Sequence, residues 1–404
     1  MVSTRHEVAI VGGGLVGASL AIALDRSGVD VALLEATPAG ALPSVFDERN
    51  LSFAESTVNA LTALGVLQKL HAPGAPIRAI HVSRSGDFGR VRLAATDYGR
   101  EAFGQVVVAR DFGAALEARL AECTHVTRYR PARFLGLEDA GDDTDAQHLH
   151  LLDDTGERTI AARLLVGADG TRSVVRKALG IASDEQTYDQ TLFVARLRSQ
   201  RAPDGTAYER FGDDGPTALL PRADGHYGLV HGVANAQAEQ VQQLGAIAFL
   251  ARVQRAFGWR AGRFLTIGER SRYPAVGLRA AALVDRRAVL VGNAAQTLHP
   301  IGAQGFNLGL RDALTLAELI EGQSDPGAEA LLAAYAMRRQ DDRERTLAFS
   351  DGLARLTANA GGLLRPLRAL GLVAADRLPV VQAWLVGGAM GYRGTVPRLC
   401  RAAS

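Results

Sequence analysis

The sequence predicts an α/β fold: a doubly wound domain assembled from both ends of the chain, a β-sheet domain inserted into it, and a helical C-terminal region. Three observations carry this expectation. The chain opens with a strand, a glycine turn, a helix and a second strand, HEVAIVGGGLVGASLAIALDRSGVDVALLEA (6–36). Two later apolar strands, ending in RLLVGADG (163–170) and AVLVGNA (288–294), return to the same kind of element. Between them runs a series of short apolar segments punctuated by Gly, Pro and Asp, as in AYERFGDDGPTALLPRADGHYGLVHGV (207–233).

Each element follows from its pattern. Val8 to Val11 are β-branched or small, Leu15 to Leu24 have helical spacing, and Val31 to Leu34 form a second buried strand ending at Glu35. Glu55 to Leu70 predicts a helix with Leu61, Leu64 and Leu67 on one side. Ile77 to Leu93 alternates like sheet, and Asp111 to Leu120 is helical. The acidic EDAGDDTDAQ (138–147) is a solvated hairpin loop rather than a metal site, and strands flank DDTGE (153–157). A β-rich middle runs from Thr187 to Tyr273, and a helix from Phe306 to Ile320. The resulting division puts 1–75, 100–186 and 276–345 in a discontinuous nucleotide-binding domain. It puts 76–99 and 187–275 in the sheet domain and 346–404 in the helical region.

Composition narrows the function. With 404 residues, 47% hydrophobic and 22% charged, the chain is long enough for two domains sharing an interface. A net charge of +2 gives no field that favours nucleic acid. Cys123 and Cys400 form no CxxC pair or metal-ligand spacing, which points to a reduced, cytoplasmic setting and no metal. The apolar run after Arg5 is interrupted by Glu7 and ended by Asp25 and Arg26, so it reads as strand, turn and helix rather than as a signal peptide. No uninterrupted apolar stretch reaches the ~20 residues that span a bilayer.

Three motifs carry chemistry. Gly12, Gly14 and Gly17 form GxGxxG in a strand–turn–helix setting, where backbone approaches a pyrophosphate and the free N–H groups of a helix N-terminus favour anions. Glu35, ending the next strand, can accept hydrogen bonds from ribose hydroxyls; the pattern predicts a dinucleotide and does not separate FAD from NAD. The second motif, GADGTRSVVRKALG (167–180), contains Asp169, Gly170, Ser173 and Arg176; by itself it reads equally well as an Asp/Gly turn capping a helix. The third is LVGNAAQTLHPIGAQGFNLGLRDA (290–313). Asn293 can bond a polyol chain, Pro300 stiffens the loop, and Gly302, Ala303 and Gly305 stay small where a planar ring could approach. The following helix aims its N-terminus at that ring. It would stabilise the anionic edge of a reduced isoalloxazine by ~0.3–1 kcal/mol when exposed and up to ~2 kcal/mol when partly buried.

In this order the motifs resemble the class A FAD-dependent aromatic hydroxylases. The third, with Gly292-Asn293 and Gln296, is similar to the ubiquinone-biosynthesis branch and most of all to the 2-polyprenyl-6-methoxyphenol hydroxylase (UbiH) type. FDERNLSFAESTVNALTALGV (46–66), GQVV (104–107), YERFGDDGPTALLP (208–221), FGWR (257–260), RSRYP (270–274) and RRQDDRERT (338–346) extend the resemblance over nearly the whole chain. It implies an FAD-binding Rossmann-like (GR2-type) domain with an inserted β-sheet substrate domain and C-terminal helices. By position, Gly12, Gly14, Gly17 and Glu35 would hold the ADP half of FAD, and Arg49 and Gln105 would line the pyrophosphate and flavin cleft. Asp169 would support FAD and reductant binding, Gly292 and Asn293 would meet the ribitol or pyrophosphate, and Pro300, Gly302, Ala303, Gln304, Gly305 and Asn307 would flank the isoalloxazine. Two positions depart from the family. Gly292-Asn293 stands where many members have Gly-Asp, and Gly302-Ala303-Gln304-Gly305 replaces Ala-Gly-Gln-Gly. A positive φ at Ala303 would cost about 1 kcal/mol, so the expectation is that Gly302 takes the left-handed conformation.

The resemblance also implies the reaction: NADH or NADPH, bound transiently since no second GxGxxG exists, reduces FAD. O2 then gives a flavin C4a-hydroperoxide that hydroxylates an electron-rich ring of a polyprenyl phenol. No catalytic base is legible. His299, His231 and Tyr208 are candidates with equally natural structural roles, and Phe211, Leu220 and Pro221 line either a substrate pocket or the sheet core. The apolar, arginine-rich stretch 353–399 suits either the protein's own core or an external contact. The latter would be an anionic surface on the inner face of the cytoplasmic membrane, or a partner in a ubiquinone-biosynthesis complex. The competing functions are hydroxylation at another ring position, reduction of lipid double bonds, halogenation, for which the WxWxIP motif is missing, and a non-catalytic flavin-binding scaffold.

Overall fold

The computed structural model describes residues 4–38, 40–41, 47–139, 145–299, 302, 304–358, 365–392 and 394–402. Strand Thr4–Val11 lies between Val31–Leu34 and Gly156–Gly167, parallel to both. Val126–Tyr129 extends this sheet on one side and Ala288–Leu290 on the other, also in parallel. The central residues Val8, Ala9 and Ile10 are fully buried, because helices cover both faces, as a parallel sheet requires. Helices Leu15–Asp25 and Gln304–Ile320 pack against each other on this sheet. They come close at Gly309, where a Cβ would stand 2.9 Å from Gly292 Cα and from Val16 Cγ2.

A second sheet has nine strands. Its long strand Ser183–Ser199 pairs antiparallel with Tyr227–Ala234 on one edge and with Ser271–Ala280 and Phe264–Ile267 on the other. Pro216–Pro221, Thr206–Phe211, Ala79–Arg84 and Arg90–Ala94 continue the order. Gln296–Thr297 joins its far edge, so the third motif touches both sheets. A three-stranded sheet of Asn50–Ala54, Gly104–Val108 and Ala75–Pro76 lies at the junction.

The structure departs from expectation in three places. The helix from Glu55 ends at Ala63, because Gly65 takes φ +77° and turns the chain; Leu67–Lys69 is a separate 3₁₀ turn. The β-rich middle contains two helices, Asn235–Gln243 and Ala246–Phe257, whose buried residues include Val241, Phe249, Val253 and Phe257. These cover one face of the nine-stranded sheet, against Phe193, Leu219 and Leu229. The C-terminal helices Arg365–Arg377 and Pro379–Ala389 pack partly on the protein itself, with Val386 and Met390 against Val91, Leu93 and Phe103.

Candidate functional site

A cavity of about 870 Å³ runs between the parallel sheet and the face of the nine-stranded sheet opposite helices Asn235–Gln243 and Ala246–Phe257. Its first half is backbone and small residues. Gly12 has φ +107°, and a Cβ there would lie 2.6 Å from the Ala168 carbonyl oxygen. A Cβ on Gly17 would stand 1.9 Å from the Gly12 oxygen, so these two glycines allow strand, turn and helix to close on one another. Gly14 caps helix Leu15–Asp25 with no side-chain acceptor, leaving the amides of its first turn to face the cavity. Glu35 lines the same end. Its carboxylate accepts from Gly13 N–H at 2.9 Å and Thr37 N–H at 2.7 Å, which fixes it at the strand end with lone pairs still open.

Asp169 also lines the cavity, and its carboxylate is a helix cap. It accepts from the Ser173 hydroxyl at 2.5 Å and from the N–H groups of Val174 and Val175 at 2.6 and 3.1 Å. Ser173 in turn caps Arg176 N–H. The capping role read from the sequence is therefore present, in a turn whose Gly170 (φ +82°) also fronts the cavity.

The third motif supplies the middle of the wall. Asn293, Gly302, Gly305 and Phe306 line the cavity. Gly302 takes φ +72°, and a Cβ on either Gly302 or Gly305 would meet nothing within 4 Å. These glycines front open space rather than packed protein, as a platform for a flat ligand does. Pro300 and Ala303 lie outside the described residues. Gly292 (φ +59°) sits behind the wall, against Val16, and its N–H donates to Asp312 Oδ2 at 3.2 Å.

Arg49 lines the cavity with its Nε bonded to Asp47 Oδ1 at 2.9 Å and its guanidinium 4.6 Å from the centre of the Tyr273 ring. Asn50, beside it, is a feature the sequence reading missed. Its Oδ1 accepts from Arg222 at 3.1 Å, but its buried Nδ2 has no partner among the described residues, which leaves a donor for a ligand. Arg133, Phe134 and Tyr273 were likewise missed; only the fold brings them to this wall.

Several predicted residues point elsewhere. Asn307 is buried and ties its helix to the junction: Oδ1 accepts from Ala54 N–H at 2.9 Å and the Thr57 hydroxyl at 2.7 Å, and Nδ2 donates to Ser52 O at 2.9 Å. The Gln105 side chain lies over Gly74, not on the cavity wall, and Gln304 opens its helix without reaching that wall. His299 is buried edge-on to Tyr188 at 4.6 Å, and burial pushes its pKa down to about 4. His231 is on the helix-covered face, bonded to the Thr217 hydroxyl at 2.9 Å. Burial, with Arg252 beside it, pushes its pKa down to about 3. Tyr208 borders the cavity, but its ring packs on Phe257 and Tyr227 behind the sheet. Of the predicted substrate residues Leu220 lines the cavity, Phe211 packs on Val82 and Tyr188, and Pro221 alternates to the other face.

The second half of the cavity is this sheet face, lined by Leu192, Val194, Ala218, Leu220 and Val230, with Glu209 among them. Burial raises the Glu209 pKa to about 7.

This arrangement, an anion-binding glycine turn opening onto an apolar sheet, defines a nucleotide-cofactor enzyme. The chain belongs to the FAD-binding domain family, whose model matches residues 5–350. It is 35% identical over 390 residues to ubiquinone hydroxylase UbiL of Rhodospirillum rubrum, covering 95% of this chain and 89% of that one. It is 30% identical over 401 residues to 3-demethoxyubiquinol 3-hydroxylase of Escherichia coli, covering 97% and 100%. In fold it is similar to p-nitrophenol 4-monooxygenase PnpA of Pseudomonas putida, with a TM-score of 0.79, 18% identity, and 97% and 99% of the two chains covered.

Proposed function

We propose that the chain is an FAD-dependent monooxygenase that hydroxylates the ring of a polyprenyl phenol in ubiquinone biosynthesis, with NADH or NADPH as reductant. Residues 1–75, 100–186 and 276–345 bind FAD, and 76–99 with 187–275 present the substrate surface. One observation carries this reading: the glycine cradle and the apolar sheet face share a single cavity, with Gly302 and Gly305 between them. A cofactor held by the cradle thereby meets a lipid-like phenol on the sheet.

The residues fit FAD. Gly12, Gly14 and the free amides of helix Leu15–Asp25 hold the pyrophosphate, and Glu35 meets the ribose. Asn293 and Asn50 Nδ2 supply polar contacts between the nucleotide and ring ends. Bound FAD supplies the two-electron chemistry that activates O2. The chain's own part is orientation and dryness: Leu192, Val194, Leu220 and Val230 exclude water from the reacting ring, and Gly302 and Gly305 let a flat surface approach.

We place the contact with an anionic membrane surface, at the inner face of the cytoplasmic membrane, on the C-terminal helices. Val380, Leu370 and Trp384 are exposed there, and the Ala369–Arg377 and Pro379–Ala389 segments meet at 87°. No single helix among the described residues is long and apolar enough to cross a membrane.

The test is turnover of purified, FAD-loaded protein with a set of prenylated phenols, NADH or NADPH and 18O2. Label in the product ring supports the reading, and the product's structure fixes the position. Cofactor oxidation that no phenol stimulates, with no label incorporated, overturns it.

A further inference from the structure

We infer that Glu209 is the catalytic base that accepts the proton of the substrate's phenolic hydroxyl as oxygen enters the ring; this rests on the phenol-hydroxylase reading above. Glu209 stands in the middle of strand Thr206–Phe211, paired with Val82 on one side and Ala218 on the other. The row continues through Val230 to Val194. Ala218, Val230 and Val194 line the cavity with it, so one carboxyl is set in an aliphatic row facing the space the phenol would fill.

That carboxyl has no partner among the described residues. No ion pair or hydrogen bond reaches it from the described residues. The other ionisable groups on the cavity wall are Glu35, Arg49, Arg133, Asp169, Tyr208 and Tyr273. Arg49 is engaged by Asp47, Asp169 by its helix and Glu35 by backbone. On the strands beside Glu209, His81, Arg210 and His231 belong to the opposite face, while Arg84, level with Phe211 and so on the Glu209 side, donates to Asp213 Oδ1 at 2.6 Å. Arg210 donates to Ala256 O on the covering helix, and the rings of His81 and His231 contact Tyr208 and Phe249. An unpaired carboxyl in an apolar wall costs stability unless a ligand completes it. A phenol O–H is a donor of the right kind, and a polyprenyl phenol brings an apolar tail for the rest of the wall.

The same burial raises the carboxyl's pKa from 4.5 to about 7. It thus keeps a substantial carboxylate fraction near neutrality while being far more basic than an exposed glutamate. A phenol titrates near 10, so the resting substrate stays protonated and the transfer accompanies ring attack. The phenolic O–H bond breaks, and its proton bonds to a Glu209 oxygen. The electron pair stays on the phenol oxygen and feeds the ring carbons ortho and para to it. O2 and the nicotinamide reductant supply the inserted oxygen atom and two electrons, and the other oxygen atom leaves as water. When the attacked carbon loses its own proton and the ring regains aromaticity, the phenol oxygen takes its proton back from Glu209.

The test compares FAD-loaded wild type, Glu209→Gln and Glu209→Asp, with a phenol carrying one isoprene unit and with its methyl ether. Binding to the oxidised protein is followed by the flavin absorption change. The wild type should prefer the phenol over the ether on the order of ten- to a hundredfold above pH 7, a preference that fades below it, and Glu209→Gln should lose this pH dependence. Turnover in Glu209→Gln should fall by about a hundred- to ten-thousandfold and lose its acid limb. Glu209→Asp should recover part of both, with unchanged FAD content and melting in each variant. Wild-type pH dependence of binding and turnover in Glu209→Gln overturns the inference. If the wild type binds no prenylated phenol at any pH, the substrate reading falls and the inference with it.

Discussion

Asn in place of Asp342 should cost about 3–5 kcal/mol of stability. Asp342 accepts from Arg311 Nε at 2.7 Å and Nη2 at 3.0 Å, and from Arg339 Nη2 at 2.7 Å. All three side chains are at most 4% exposed. Arg311 Nη1 and Arg339 Nη1 already lack partners among the described residues, so no spare acceptor there compensates. The amide would remove one charge and turn its NH2 group toward guanidinium donors, leaving Arg339 with Asp312 and Arg311 with no carboxylate partner among the described residues. Burial would raise the Asp342 pKa, but Arg311 and Arg339 outweigh it and hold it at about 2, below its ordinary 3.8. That depression corresponds to roughly 2 kcal/mol at neutral pH. The contribution is full above pH 3.8 and is lost as pH falls through about 2. Urea unfolding followed by far-UV circular dichroism measures the loss. Asp341→Asn is the control: the Asp341 carboxylate is exposed and paired with exposed Arg345, so its substitution should fall within about 0.5 kcal/mol of wild type. A loss below about 1 kcal/mol in Asp342→Asn, or equal losses in both variants, refutes the reasoning.

Three further outcomes test the site. Gly12→Ala should abolish FAD retention, because its φ is +107° and the new methyl would meet the Ala168 carbonyl at 2.6 Å; flavin absorbance relative to protein after reconstitution reads this directly. Asn307→Ala should lower stability by about 2–4 kcal/mol by stranding Ala54 N–H, Thr57 and Ser52 O. Flavin loss with unchanged melting would return Asn307 to the cofactor. His299→Asn should leave the pH profile of turnover unchanged between pH 5 and 8, since burial holds the imidazole neutral with a pKa of about 4; a lost limb in that window would make His299 an acid or base after all.

The parts of the site legible in the sequence are those fixed by local backbone geometry. Gly12 and Gly17 could be read because a strand–turn–helix closes only where a Cβ is missing, and Glu35 because it ends the next strand. The left-handed Gly302 followed from the penalty on alanine next to it. What failed was direction. Alternation along 206–211 separates Tyr208 from Glu209, but which parity meets the cavity depends on the helices Asn235–Gln243 and Ala246–Phe257, which were not foreseen. His231 was misplaced for the same reason, because those helices bury its side of the sheet. Asn307 and Gln105 sat in the right motifs, yet helix phase turned one into the junction and strand pairing laid the other over Gly74. Glu209, a charged residue between Tyr208 and Arg210 in a half-polar strand, has the pattern of a solvent position.

The sheet's two faces explain how one surface serves a reaction needing both dryness and a proton acceptor. The helix-covered face takes His81, His231 and Arg210: the two imidazoles are held neutral by burial, with pKa values of about 4 and about 3, and Arg210 is spent on a backbone carbonyl. Had any of these cations faced the cavity, it would have drawn water and lowered the basicity of a neighbouring carboxylate. With them turned away, the wall around Glu209 stays aliphatic and its carboxyl titrates near neutrality. The cofactor half has the opposite logic, since its acids are already anchored: Glu35 by Gly13 and Thr37, with lone pairs left for a ribose, and Asp169 by its helix. The amides of helix Leu15–Asp25 are thereby left to an external anion, and Glu209 remains the carboxyl on the wall whose proton is free to move with substrate.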